Sequence, residues 1–183
     1  DAQESRGLGD VYKRQRPMNI GEKRNLAVSR AKHDVLVMLD DDDVYPNHSL
    51  VSRVAMMLAE PVKDCLFCTT IPCYDIHQMK SFMNVPPITL PMSERVSEAT
   101  LCFTRAFWEE QTFEEVQIAE GNAFIRGREQ RCREMSPQDV IVSLTHKKTT
   151  SDRKAPAGEA NGCHYGFAEE LFTLVSEIGQ SIA

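Results

Sequence analysis

The chain has 183 residues, 42% of them hydrophobic and 26% charged, with a formal net charge of −6. That length supports one domain with a substantial core and leaves no room for two large ones. The acidic balance argues against a general nucleic-acid binder. No apolar run approaches the roughly 20 residues of a membrane span, and no apolar signal segment stands near the start.

Residues 1–15, ending in Arg6-Gly7-Leu8-Gly9-Asp10-Val11-Tyr12-Lys13-Arg14-Gln15, resemble a translated sequencing-adapter artefact and show no clear hydrophobic period. They are set apart as a leader, and the natural N-terminal part is expected to be missing. Asn19 to Lys32 then has helical spacing at Leu26, Ala27, Arg30 and Ala31. His33-Asp34 leads into an apolar pentad, Val35-Leu36-Val37-Met38-Leu39, which reads as a buried strand. Pro46-Asn47 opens a second helix with Asn47 as N-cap and Leu50, Val54 and Leu58 as its buried stripe. Pro61 stops it.

A core strand is expected at Cys65–Ile71, ended by Pro72. Residues Cys73 to Pro91, which include Pro86 and Pro87, read as a long loop with little regular structure. Ala99–Phe103 is a further strand, and Thr104 can cap a short helix through Phe107-Trp108. Ile118–Gln130 reads as a helix and Val140–Leu144 as another buried strand. Phe167–Ile178 is amphipathic, with Phe167, Leu171, Leu174, Val175 and Ile178 on one side. Helices interleaved with buried strands make an α/β layered fold.

The six cysteines (Cys65, Cys68, Cys73, Cys102, Cys132, Cys163) need not form a disulfide framework, so a reducing, cytoplasmic compartment is the simpler expectation. Cys65, Cys68, Cys73 and His77 have spacing that superficially suits zinc. Their apolar context favours core packing instead.

The pentad ends in Asp40-Asp41-Asp42-Asp43. Like charges this close are stable only when solvated or bound to a cation. Oxygen ligands at a strand end suit a hard divalent ion, Mg²⁺ or Mn²⁺. Three further features share the chain with this cluster. Gly21-Glu22-Lys23-Arg24-Asn25 precedes the strand. Ala119-Glu120-Gly121 heads a helix that continues through Phe124 to Gly127-Arg128. The last strand ends at His146, with Ser151 and Arg153 beyond.

With Gly21, Arg24 and Asn25 (Gly-x-x-x-Arg-Asn), then a helix, an apolar strand and Asp40-x-Asp42, the chain resembles the family-2 glycosyltransferases of the GT-A fold. The resemblance covers roughly Asn19 to Arg153 and is strongest over Asn19–Pro46. It implies a Rossmann-like mixed, mainly parallel sheet flanked by helices, incomplete at the N-terminus. On that reading residues 16–154 form a partial GT-A domain and 155–183 a linker and amphipathic helix. It also implies inverting transfer of a sugar from a nucleotide-sugar donor, a UDP-sugar by family preference, to an acceptor hydroxyl on a glycan, protein or lipid.

The resemblance carries roles onto single positions. Asp42, with Asp40 and His146, would hold Mn²⁺ or Mg²⁺, and Asp40 could instead meet the ribose. Arg24, Asn25, Asp40, Asp41 and Arg128 fall on the donor side. For Arg24 an ion pair with an aspartate is the plainer alternative, and for Arg128 a solvated helix face. Glu120 is the candidate general base. The family usually carries Glu-Asp there with the second residue catalytic, whereas Glu120-Gly121 leaves Glu120 the only carboxylate at the motif. Trp108 offers an aromatic face to an acceptor sugar or packs in the core. Lys147, Lys148, Arg153 and Lys154 form either a closing segment beside the diphosphate or a solvated basic loop.

Two other readings use the same residues. Leu39-Asp40-Asp41-Asp42-Asp43-Val44 also satisfies the first motif of a haloacid-dehalogenase phosphatase, with Asp40 as nucleophile and Asp42 as acid/base. The later acidic motif of such enzymes, Gly-Asp-x-x-x-Asp, has no counterpart after Asp43. A non-catalytic fragment is the other alternative, since no first strand or Pro-Thr-x-Asn-like base-binding loop is present. An EF-hand fails outright, with Tyr45 where glycine is required and Val51 where the bidentate glutamate belongs.

Overall fold

Asn19 starts the first helix by satisfying backbone donors that a helix start leaves open. Its Oδ1 accepts from Glu22 N at 2.8 Å, and the Glu22 carboxylate accepts from Asn19 N at 3.0 Å, a reciprocal capping box. The structure is a computed structural model describing residues 17–60, 62–146 and 153–158, with positions 173 and 177 beyond them. The leader 1–15, Lys147, Lys148 and nearly all of the expected Phe167–Ile178 helix lie outside the described residues.

The capped helix, α1, spans Ile20–Arg30. It leans on the segment around Glu114, where Gly21 N–H donates to Val116 O at 3.1 Å. A Cβ on Gly21 would lie 1.8 Å from Glu114 O, so only glycine permits this approach. At the other end the Arg105 guanidinium donates to Val28 O, Ala31 O and His33 O, satisfying carbonyls that the helix terminus and the turn beyond it leave open.

Strand β1 (Val35–Val37) pairs antiparallel with β5 (Ser97–Thr104). β5 pairs antiparallel with β2 (Cys65–Cys68), which runs parallel to β6 (Cys132–Glu134). A second sheet has β3 (Ile71–Asp75) between antiparallel β4 (Lys80–Asn84) and parallel β7 (Ser143–Thr145). The α/β expectation is met in its mixed character. The expected parallel majority is not found, because three of these five described pairings are antiparallel.

The β3–β4 hairpin replaces much of the loop expected from Cys73 to Pro91. Pro72 does not prevent it, because the β3–β7 ladder begins only at Cys73 and needs no N–H from residue 72. Asp75 turns the chain by accepting from His77 N and Gln78 N at 2.9 and 2.7 Å.

Helix α2 (Ser49–Ala59) buries a different face from the expected one. Ser49, Arg53 and Met57 point inward, while Leu50 and Leu58 are 50% and 68% exposed. Asn47 is not the cap; His48 takes that position without a side-chain hydrogen bond. The rotation has a polar cause. Fully buried Arg53 donates through Nη1 to Met38 O at 3.0 Å, and Ser49 Oγ donates to Val140 O at 2.7 Å. Both contacts satisfy carbonyls that the interior leaves no water to meet.

Thr104 caps the short helix α3 (Arg105–Glu110), accepting from Phe107 N at 3.2 Å. The expected Ile118–Gln130 helix is cut to α4 (Glu120–Ile125), because Gly127 adopts a positive φ of 80° and a short 3₁₀ turn, Glu129–Arg131, follows. Among the described residues no helix is long and apolar enough to cross a membrane.

The core lies on both sides of the first sheet. Leu36, Phe103, Phe107, Phe113 and Phe124 form one cluster, with Phe113 and Phe124 stacked at 4.1 Å. Met57, Leu66, Ile71, Cys102 and Ile141 form the other. Cys65, Cys68, Cys73, Cys102 and Cys132 are all buried as free thiols. The helix rotation yields a direct expectation. Met57→Ala should lower unfolding stability by about 2–5 kcal/mol, and Leu58→Ala by no more than about 0.5 kcal/mol. Denaturant titration of both variants measures this, and a larger loss at Leu58 would reverse the assignment of the buried face.

Candidate active site

The apolar run of β1 ends where burial ends. Leu36 and Met38 are buried, Leu39 is half exposed, and the four aspartates follow in a turn. Tyr45 ties that turn to the sheet. Its Oη accepts from Asp40 N at 2.8 Å and donates to Ala99 O at 3.2 Å. Burial, above all, pushes the Tyr45 hydroxyl pKa up, so it stays protonated. Val44 and Val142 exchange backbone hydrogen bonds of 3.0 and 2.8 Å, which brings the turn against the strand leading into β7.

One guanidinium joins this turn to α4. Arg24 reaches Asp40 with Nη1 to Oδ1 at 3.0 Å and Nη2 to Oδ2 at 3.3 Å, and its Nε reaches Glu120 Oε1 at 2.7 Å. The Arg24 and Glu120 side chains are only 11% and 4% exposed. Burial works against the Arg24 charge, and the two carboxylates outweigh it, leaving its pKa raised. Ala119, just before Glu120, adopts left-handed backbone at φ 59° and ψ 34°, an uncommon conformation for a residue with a Cβ.

A cleft of about 130 Å³ opens here, and Arg24, Asp40, Asp42, Asp43, Glu120 and Arg153 are among its lining residues. Glu98 of β5 also lines it, with Oε1 accepting from Gly121 N at 3.2 Å. Burial, with help from the Glu120 charge, lifts the Glu98 pKa to about 7; the Gly121 N–H and Arg24 act in the opposite direction. Asp43 is raised to about 6, again chiefly by burial, against hydrogen bonds from Ser143 and Leu144 N. Arg153 Nη1 donates to Ser143 Oγ at 2.8 Å on the same wall.

His146 and Asp42 come together, with Nε2 3.7 Å from Oδ2. Asp40 is placed differently from Asp42, because both its oxygens face Arg24. Among the described residues no group of three or more His, Cys, Asp or Glu side chains is assembled for a metal.

Five expected site residues do not line the cleft: His146, Asn25, Trp108, Arg128 and Asp41. Asn25 donates to Phe113 O at 2.8 Å and accepts from Phe113 N and from Trp108 Nε1, each at 3.0 Å. Asn25 and Trp108 thus clasp the segment after α3. Arg128 lies over the Phe107 ring at 3.6 Å and donates to the Phe107, Gln111 and Phe124 carbonyls. Asp41 is exposed in the turn. Sequence reasoning missed Glu98; its one signal is a lone carboxylate at the start of an apolar strand.

No family model matches the chain, and no curated protein does. Among solved structures, it is similar to the crystal structure of S. aureus TarS, residues 1–349, at a TM-score of 0.50 and 16% identity. The alignment covers 69% of this chain and 40% of that one. The likeness is one of fold. The chain thus spans well under half of the TarS structure that it matches.

Two expectations follow from the geometry. Arg24→Met leaves nearly buried Glu120 without its cation and should cost about 3 kcal/mol or more in denaturant unfolding at pH 7. A loss below about 1 kcal/mol would mean that the carboxylates are solvated. The second concerns pH. An unfolded glutamate titrates near 4.3, so the folded chain holds the Glu98 proton over the window up to about pH 7. Stability contributed at this group therefore falls as pH rises through that window. Glu98→Gln should raise the melting temperature relative to the unsubstituted chain at pH 8, with the gain vanishing toward pH 4.5. A gain independent of pH would show that Glu98 does not titrate in this way.

Proposed function

We propose that the chain carries the catalytic cleft of a glycosyltransferase that moves a sugar from a nucleotide-sugar donor, a UDP-sugar, to an acceptor hydroxyl with inversion. One observation carries the reading: Arg24 gathers the strand-end acidic turn and the Glu120 carboxylate, distant in sequence, onto one cleft. The fold shared with TarS, a family-2-like glycosyltransferase, supports it.

The chemistry asks for three things at one place. The departing diphosphate needs positive charge, the anomeric carbon must be held, and the acceptor proton needs a carboxylate on the opposite side. Asp42 and His146 would hold Mn²⁺ or Mg²⁺, which when bound supplies charge neutralisation at the diphosphate. Arg153 brings a cation to the same wall. Arg24, with Nε and both Nη atoms committed, serves by fixing Asp40 and Glu120 rather than by meeting phosphate. Tyr45 fixes the turn from beneath. A cleft of about 130 Å³ is small against the ~300 Å³ at which ligand pockets begin. It therefore suits the sugar and adjacent phosphate and leaves the nucleoside outside it.

The test uses UDP-glucose and UDP-N-acetylglucosamine with Mn²⁺, following UDP release, beside Mn²⁺ binding read by electron paramagnetic resonance. Asp42→Ala should weaken Mn²⁺ binding and lower UDP release at least about 100-fold. Unchanged binding and turnover in that variant would remove Asp42 from the metal site.

A further inference from the structure

We propose that Glu98, carried by β5, is the general base of this cleft, placed where a side chain at residue 121 would otherwise project. The inference rests on the glycosyl-transfer reading and goes beyond it by assigning the proton acceptor to a residue outside the Ala119-Glu120-Gly121 motif.

The first argument is space. A Cβ added to Gly121 would lie 2.8 Å from Glu98 Cγ and 3.0 Å from Glu98 Oε1. The Glu98 side chain thus fills the direction in which a longer residue 121 would point, and glycine there leaves the room. The second is orientation. Gly121 N–H donates to Glu98 Oε1 at 3.2 Å, which holds the carboxylate at the start of α4 and on the wall of the cleft.

The third argument is the contrast with Glu120. Glu120 accepts from Arg24 Nε at 2.7 Å in a nearly buried ion pair. Its Oε1 is thereby committed to the guanidinium. Among the described residues Glu98 has no ion-pair partner. The charged groups facing it are Arg24 from α1 and Glu120 from α4, while Asp40, Asp42, Asp43 and Arg153 line the same cleft. Its position near pH 7 matches the range in which a base is effective at neutral pH.

In the step, the acceptor oxygen forms its bond to the anomeric carbon as the bond from that carbon to the diphosphate oxygen breaks. The bonding pair leaves with the diphosphate, and the acceptor's proton passes to the Glu98 carboxylate. Water serves as acceptor when UDP release is the readout.

The experiment compares the unsubstituted chain, Glu98→Gln, Glu98→Asp and Glu120→Gln in Mn²⁺-dependent UDP release from UDP-glucose and UDP-N-acetylglucosamine between pH 5 and 9. The expected result for Glu98→Gln is a kcat at least about 100-fold lower. The donor KM should change by less than about threefold, and the acid limb of the kcat/KM profile near pH 7 should disappear. Glu98→Asp should keep that limb at reduced rate. Turnover within about threefold of the unsubstituted chain in Glu98→Gln, or persistence of its acid limb, would overturn the base assignment and leave glycosyl transfer standing. No UDP release by the unsubstituted chain would overturn the glycosyl-transfer reading and the assignment with it. Carbon-13 NMR titration of Glu98 in the unsubstituted chain adds a readout that needs no variant to fold. A midpoint near pH 7 supports the proposal, and one below about pH 5 overturns it.

Discussion

The Arg24 guanidinium is the interaction on which the geometry of this cleft depends. A planar fork offers Nε to one carboxylate and the two Nη atoms to another, which an ammonium on a flexible stem cannot do. Here it joins α1, the exit of β1 and the start of α4, three segments that share no local sequence. Each member needs the others. Glu120 is too buried to remain charged alone, and Arg24 is too buried to be left without an anion. The arrangement is stiffened from behind, where Gly21 lets α1 rest on the Glu114 backbone and Tyr45 pins the acidic turn to β5.

Features encoded by neighbouring residues were legible in the sequence, and features set by distant polar groups were not. The helix beginning near Asn19, the Thr104 cap and the apolar β5 follow from a few adjacent side chains. Helix α2 shows the opposite case. Its strongest apolar stripe runs through Leu50, Val54 and Leu58, yet the helix turns to bring Ser49 and Arg53 to the Val140 and Met38 carbonyls. No periodicity scan weighs an unsatisfied carbonyl contributed from elsewhere in the chain. The β3–β4 hairpin was hidden in a similar way. Pro72 reads as a strand stop until its place beyond the β7 ladder is known.

The candidate site divides along the same line. Asp40, Asp42, Glu120 and Arg24 could be singled out because they form spaced patterns with a chemical purpose. Asn25, Trp108 and Arg128 belong to the same stretches but meet backbone and rings instead. Multi-donor side chains near a site are also the natural means of satisfying buried carbonyls, so residue type alone does not separate the two uses. Glu98 escaped notice for the converse reason. It is a single carboxylate in an apolar strand, and its meaning comes from Gly121, which lies on another element and leaves the space it fills.

The two glutamates of the cleft also show how environment divides roles between identical side chains. Glu120 meets Arg24 in an ion pair; Glu98 meets a backbone N–H, and burial together with the Glu120 charge lifts it to about 7. The same accounting bears on an anionic donor. Arg24 offsets charge within its own bridge, so Asp42 and Asp43 still face the cleft beside Arg153. On the glycosyl-transfer reading a diphosphate approaching that wall would meet repulsion unless a cation arrived with it, and a cation at Asp42 would gain further oxygen ligands from the diphosphate. On the glycosyl-transfer reading, donor and cation binding are therefore thermodynamically linked, each raising the affinity for the other by the same factor.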